Sequence, residues 1–99
     1  MEIWKAEALR KLDLTDDEAR MFSAMVRLTL HNAKYREMVG DSLSPTSLAN
    51  LRMANRHTCL PADDAQICYI AFLIGSHALT GTLYRDCQRI RSKILALAL

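Results

Sequence analysis

Residues 65–84 (AQICYIAFLIGSHALTGTLY) contain no Asp, Glu, Lys or Arg. In a chain of 99 residues, a stretch that long without charge has three homes: a core helix, an interface between chains, or a membrane. Its length suits a hydrocarbon layer of roughly 30 Å. Its content does not, because Gln66, Ser76, His77, Thr80 and Thr82 are polar and Gly75 and Gly81 are small, whereas a stable span is a more continuous apolar run. A buried or interfacial helix is therefore the expectation. In the membrane alternative, the basic residues after Tyr84 would place the C-terminus in the cytoplasm.

Within this stretch Ile67, Ile70, Ala71, Ile74 and Ala78 recur on one helical face, and Cys68, Phe72, Gly75 and Leu79 on the next. A helix apolar on two faces is central or shared with another chain. Pro61 opens it, and Asp63 and Asp64 fall in its first turn, where the helix dipole favours carboxylates. Thr80-Gly81-Thr82 can bend or break it, so residues 62–98 read as one bent helix or two. Beyond the break Leu83, Cys87, Ile90, Ile94 and Leu97 repeat at helical spacing over residues 82–98.

Upstream, Thr15-Asp16-Asp17-Glu18 is a capping box: the threonine hydroxyl accepts from the Glu18 N–H, and the Glu18 carboxylate accepts from the Thr15 N–H. It starts a helix predicted over residues 16–39, with Phe22, Met25, Val26, Thr29 and Ala33 inward, Met21 and Leu28 broadening the stripe, and Gly40 as its terminator. Ser44-Pro45 signals another start, serine as cap and proline at the first helical position. Leu48, Leu51 and either Met53 or Ala54 line that helix, which should fade near residues 56–58. Residues 2–12 have helical composition, with Ile3, Trp4, Ala8, Leu9 and Leu12 able to share a face. No alternating pattern marks strands. The expected fold class is all-α: one domain over residues 1–99, a small bundle of four to five helices with the C-terminal one or two long and central.

Net charge is +2, far from a polycation. Positive charge concentrates late, with Arg85, Arg89, Arg91 and Lys93 against the single acid Asp86 after residue 64. Three cysteines, Cys59, Cys68 and Cys87, are an odd set, and the charged N-terminus lacks an apolar signal core. Both features favour a reducing, cytoplasmic setting over a disulfide framework.

Catalytic chemistry finds little support. His57, Cys59, Cys68 and His77 lack the paired spacing of four-ligand zinc sites. Cys68 and His77 lie nine residues apart on one predicted helix, too far to share an ion. Cys68 and Cys87 fall on apolar faces, where thiols are inert packing groups, so Cys59 beside His57 is the one accessible thiol expected. There is no glycine-rich phosphate loop and no nucleophile elbow. The expectation is no enzyme, no cofactor and no metal.

Two basic stripes remain. Arg20, Arg27, His31 and Lys34 recur at helical spacing on the second predicted helix, and Arg85, Arg89 and Lys93 on the last. Either could track phosphates, although most such stripes are solvated helix backs. A helix-turn-helix reading of residues 44–56 and 62 onward fails on charge: the would-be recognition helix opens Ala-Asp-Asp-Ala and then turns apolar. His77 reads more simply as a hydrogen-bonded core histidine than as a register device at an interface. With 51% apolar residues, the chain carries more apolar surface than short helices need to bury, which a partner or second copy often covers. The leading expectation is a non-enzymatic adaptor, chaperone or inhibitor working through protein–protein contacts, with a homodimer anticipated. Size and class are shared with many phage and plasmid accessory proteins, an analogy only. Its partner-facing residues would be Arg85, Arg89 and Lys93 with the aromatic anchors Tyr84 and Tyr69, and Trp4 and Tyr35 as further candidates. The alternative is a nucleic-acid-binding regulator using Arg20, Arg27, His31 and Lys34.

Overall fold

A computed structural model describes residues 6–39 and 43–98. Among these residues the chain forms strand β1 (Ala6–Ala8), a 3-10 turn (Leu9–Leu12), helices α1 (Asp16–His31), α2 (Ala33–Val39) and α3 (Pro45–Arg52), strand β2 (Cys59–Pro61), and helices α4 (Ala62–His77) and α5 (Thr82–Ala98). The fold is all-α, a small bundle in which α1 and α4 form the main packed pair and α5 lies against both.

The helix starts follow their local chemistry. Both halves of the capping box at Thr15 and Glu18 form, at 3.1 and 3.0 Å. Ser44 caps α3 through the Ser47 N–H, with Pro45 at the first position. α4 and α5 are two helices rather than one. The chain leaves α4 at Ala78 and re-enters helix after Gly81, whose φ of 84° suits a residue without a Cβ.

Packing selects one side of each helix. Phe22, Met25, Val26 and Leu30 of α1 meet Ala65, Cys68, Ala71 and Phe72 of α4, with Cys87, Ile90 and Ile94 of α5 closing the core. The rings of Phe22 and Phe72 stack at 5.4 Å, and Tyr69 tilts against Phe22 at 6.0 Å. Gly75 lets α4 approach α1 closely: a Cβ there would lie 2.1 Å from Thr29 Oγ1 and 2.9 Å from Met25 Sδ. The two-faced apolar character of α4 resolves into a buried side and an edge that stays open, where Ile70 and Ala78 are exposed.

Five expectations are corrected. Residues 6–12, read as part of a first helix, form β1 and the 3-10 turn. β1 pairs antiparallel with β2 (Ala6 with Pro61, Ala8 with Cys59), so pairing across the fold overrides helical composition. The ribbon also corrects the reading that strands are absent. The helix over residues 16–39 is interrupted at Asn32, whose extended backbone (ψ 119°) ends α1 and whose side chain accepts from the Lys34 N–H at 3.0 Å. α3 stops at Arg52, before residues 56–58; Ala54 is buried and Met53 faces solvent. Ala33 and Leu28, placed inward by periodicity, are exposed. Ile3, Trp4 and Gly40 lie outside the described residues.

No helix among the described residues is long and apolar enough to cross a membrane.

Candidate partner-binding groove

The basic residues singled out from sequence fall into two environments. On α5, Arg89 pairs with Asp86 at 3.1 Å. Lys93 reaches across to α1, donating to Glu18 at 3.1 Å and to the Asp13 carbonyl at 2.6 Å. These groups line a cavity of about 410 Å³ with Thr15, Asp17, Met21 and Asp86, so cations and carboxylates face one another. Burial pushes the Glu18 carboxyl up, but the Thr15 N–H and the Lys93 ammonium outweigh it and hold the group below its ordinary value. Tyr84 accepts from the Gln88 amide, the adjacent Arg85 is exposed, and Tyr69 is half-buried against Phe22. Arg89 and Lys93 are thus paired within the chain, and Lys93 acts as a tie between helices. On α1, Arg20 pairs with Asp17.

The second environment is different. Where α1 ends and α2 turns away at Asn32, a groove of about 590 Å³ opens between α1, α2 and α3. Ala24, Leu28, Leu30, Leu43 and Leu48 supply an apolar lining, and Arg27, His31, Arg36 and Arg52 the polar one. Among the described residues no carboxylate lines it, and Arg27, Arg36 and Arg52 have no ion-pair partner. Of the first stripe, Arg27 and His31 reach the groove; Arg20 and Lys34 do not.

Local rules explain how the cations come to converge. His31, Arg36 and Arg52 each sit in the last turn of their helix, where the carbonyl-rich end of the dipole favours positive charge by about 0.3–1 kcal/mol. Three helix ends meet at one place, and their cations meet with them. α3 is held there by polar ties. Ser23, buried on α1, donates to the Leu51 carbonyl, satisfying a hydroxyl that would otherwise be costly to bury. Ser47 and Ser44 both donate to Asp64 of α4, at 2.5 and 3.0 Å. The Arg56 N–H donates to Asp16 at 3.1 Å.

Arg36 and Arg52 were missed from sequence because they belong to different helices, and stripe-counting works along one helix. Basic residues closing successive short helices were the available signal.

A third recess, about 400 Å³, lies between α2 and α4 and is lined by Tyr35, Met38, Leu73, Ile74, His77 and Ala78. No described Asp, Glu, Lys or Arg lines it. His77 is exposed at the end of α4 rather than set in the core.

The thiols divide as their positions imply. Burial, with the Asp64 carboxylate nearby, pushes Cys68 up to about 12. Burial and Asp86 raise Cys87. Cys59 is exposed on β2. Among the described residues no group of three His, Cys, Asp or Glu side chains is placed to hold a metal.

The chain matches no family model, no curated protein and no solved structure.

Proposed function

We propose that this chain is a non-enzymatic helical protein that acts by docking another protein in the groove between α1, α2 and α3. One observation carries the reading: an open, leucine-lined recess whose charged groups, among the described residues, are cations with no lining carboxylate. Exposed apolar surface costs about 25 cal/mol per Å² in water, and Leu28 remains 67% exposed there. An adaptor, chaperone or inhibitor gives such a surface a use. The unpaired cysteines accord with a reducing, cytoplasmic setting. The recess at Tyr35 and Met38, which no described Asp, Glu, Lys or Arg lines, is the surface proposed for the second copy of a homodimer, because residues on a two-fold axis meet their own mates and like charges there would repel.

The competing reading, a nucleic-acid regulator, draws on Arg27 and His31, but Arg20 is paired and Lys34 lies off the groove. A photo-reactive benzoylphenylalanine at Ala24, compared with one at exposed Ser92 on α5, tests the proposal in the cell that makes the protein. A nuclease-resistant protein adduct at Ala24, absent at Ser92 and lost with Leu28→Asp, is the expected result. A nuclease-sensitive adduct would favour the regulator, and no adduct at Ala24 would reject the groove as a docking surface.

A further inference from the structure

The groove's lining constrains its occupant further than its existence does. Building on the protein-docking reading, we propose that the occupant is an acidic amphipathic helix, apolar at three positions one turn apart and flanked by carboxylates. Three features converge on this chemistry. The first is charge: Arg27 on α1, Arg36 on α2 and Arg52 on α3 line the groove from three helices, with His31 among them and, among the described residues, no lining carboxylate. A basic or neutral partner would leave guanidinium groups desolvated without an acceptor, which is costly in a contact.

The second is the lining between those cations. Exposed Leu28 and half-buried Leu48 present branched aliphatic surface over the buried Leu30 and Leu43, and among the described residues no aromatic side chain lines the groove. A nucleic-acid backbone has nothing apolar to set against leucines, and a single strand would find no ring on which to stack a base. A helix face that alternates leucine-like anchors with carboxylates answers both halves of the lining at once.

The third is length. The α1 wall of the groove runs from Ala24 to His31, a rise of about 10 Å at 1.5 Å per residue, or two helical turns. An occupant helix of the same pitch brings side chains at i, i+3 or i+4, and i+7 into that span. Its carboxylates, on the flanks of the same face, would meet the guanidinium groups of Arg27, Arg36 and Arg52 that line the groove.

Fluorescence anisotropy with a labelled peptide of about 18 residues, five turns of helix, tests the proposal directly. The peptide carries leucines at i, i+3 and i+7 flanked by glutamates. Its controls are a scrambled peptide of equal composition, a lysine-for-glutamate version, and a single-stranded oligonucleotide. The expected order is the acidic amphipathic peptide at least tenfold tighter than the scramble, with no measurable binding of the lysine version. The double variant Arg27→Glu/Arg52→Glu should invert the preference, losing the acidic peptide and gaining the lysine one. Both substitutions are at exposed positions, and an unchanged circular dichroism melt confirms the fold. Equal binding of the scramble overturns the helical-face claim, and tighter binding of the oligonucleotide overturns the peptide in favour of nucleic acid. If no peptide binds while the Ala24 cross-link to protein persists, the docking reading stands and the acidic-helix occupant falls; if both fail, both fall.

Discussion

Helix α1 meets α4 along one side and lines the open groove along the other, and the two sides use similar residue types to opposite ends. Toward α4, Phe22, Met25 and Val26 are buried by ring stacking and by a backbone approach that Gly75 makes possible. Toward the groove, Leu28 stays mostly in solvent between Arg27 and His31. Apolar character therefore does not by itself mark the core of this protein. What distinguishes the sides is whether a partner surface of matching shape exists within the chain. On the α4 side it does, and the side chains there are shut off from solvent. On the groove side it does not, and among the described residues the cations that end three helices have no carboxylate beside them.

The contrast can be broken by substitution. Phe72→Ala removes the ring stacked on Phe22 and leaves a cavity, for an expected loss of about 3–5 kcal/mol. Urea denaturation should show it as a lower midpoint, and a loss below about 1 kcal/mol would mean that the α1–α4 contact is looser than described. Gly75→Ala comes next. The new Cβ must displace Thr29 Oγ1, which now donates to the Met25 carbonyl at 2.8 Å. Overpacking of this kind costs about 1–3 kcal/mol, and a neutral result would show that Thr29 rotates away freely.

These two contacts also mark how far the sequence could be read. The Thr15–Glu18 box, the Ser44-Pro45 start and the buried positions Phe22, Cys68, Phe72, Cys87 and Ile90 were legible, because capping and periodicity act within one helix. The ribbon was not: Ala6–Ala8 adopts a strand only because Cys59–Pro61 lies beside it. The break at Asn32 was hidden as well, since apolar spacing continues past it. The groove follows from that break, which explains why only Arg27 and His31 of its four cationic or titratable residues were in view. The α5 stripe was visible as a pattern, but its pairing with Asp86 and Glu18 depends on what the fold sets opposite it.

Smaller effects sharpen the contrast. Thr15→Ala removes one half of the α1 capping box and should cost about 1 kcal/mol, again read from the urea midpoint. The same end of α1 carries a pH signature. Glu18 has its folded pKa below the unfolded value, so its contribution is present above the ordinary glutamate range and is lost as pH falls through the folded value. Between about pH 6 and pH 3 the midpoint of the parent should therefore fall more steeply than that of Glu18→Gln. Equal slopes would mean that Lys93 and Thr15 do not favour the carboxylate. The smallest effect belongs to the groove. Leu28→Asp should change stability by no more than about 0.5 kcal/mol, in contrast with Phe72→Ala, and a large loss would show that Leu28 belongs to the core after all.

Asn32 is a single exposed residue, yet its extended backbone decides the direction of everything on α2. It sends Arg36 to one recess and Tyr35 and Met38 to another. The two outward-looking surfaces of the molecule thus hang from one joint, while the stacked phenylalanines that hold the fold lie beyond its reach. A lineage carrying this chain could re-aim both surfaces by changing that joint and leave the interior untouched.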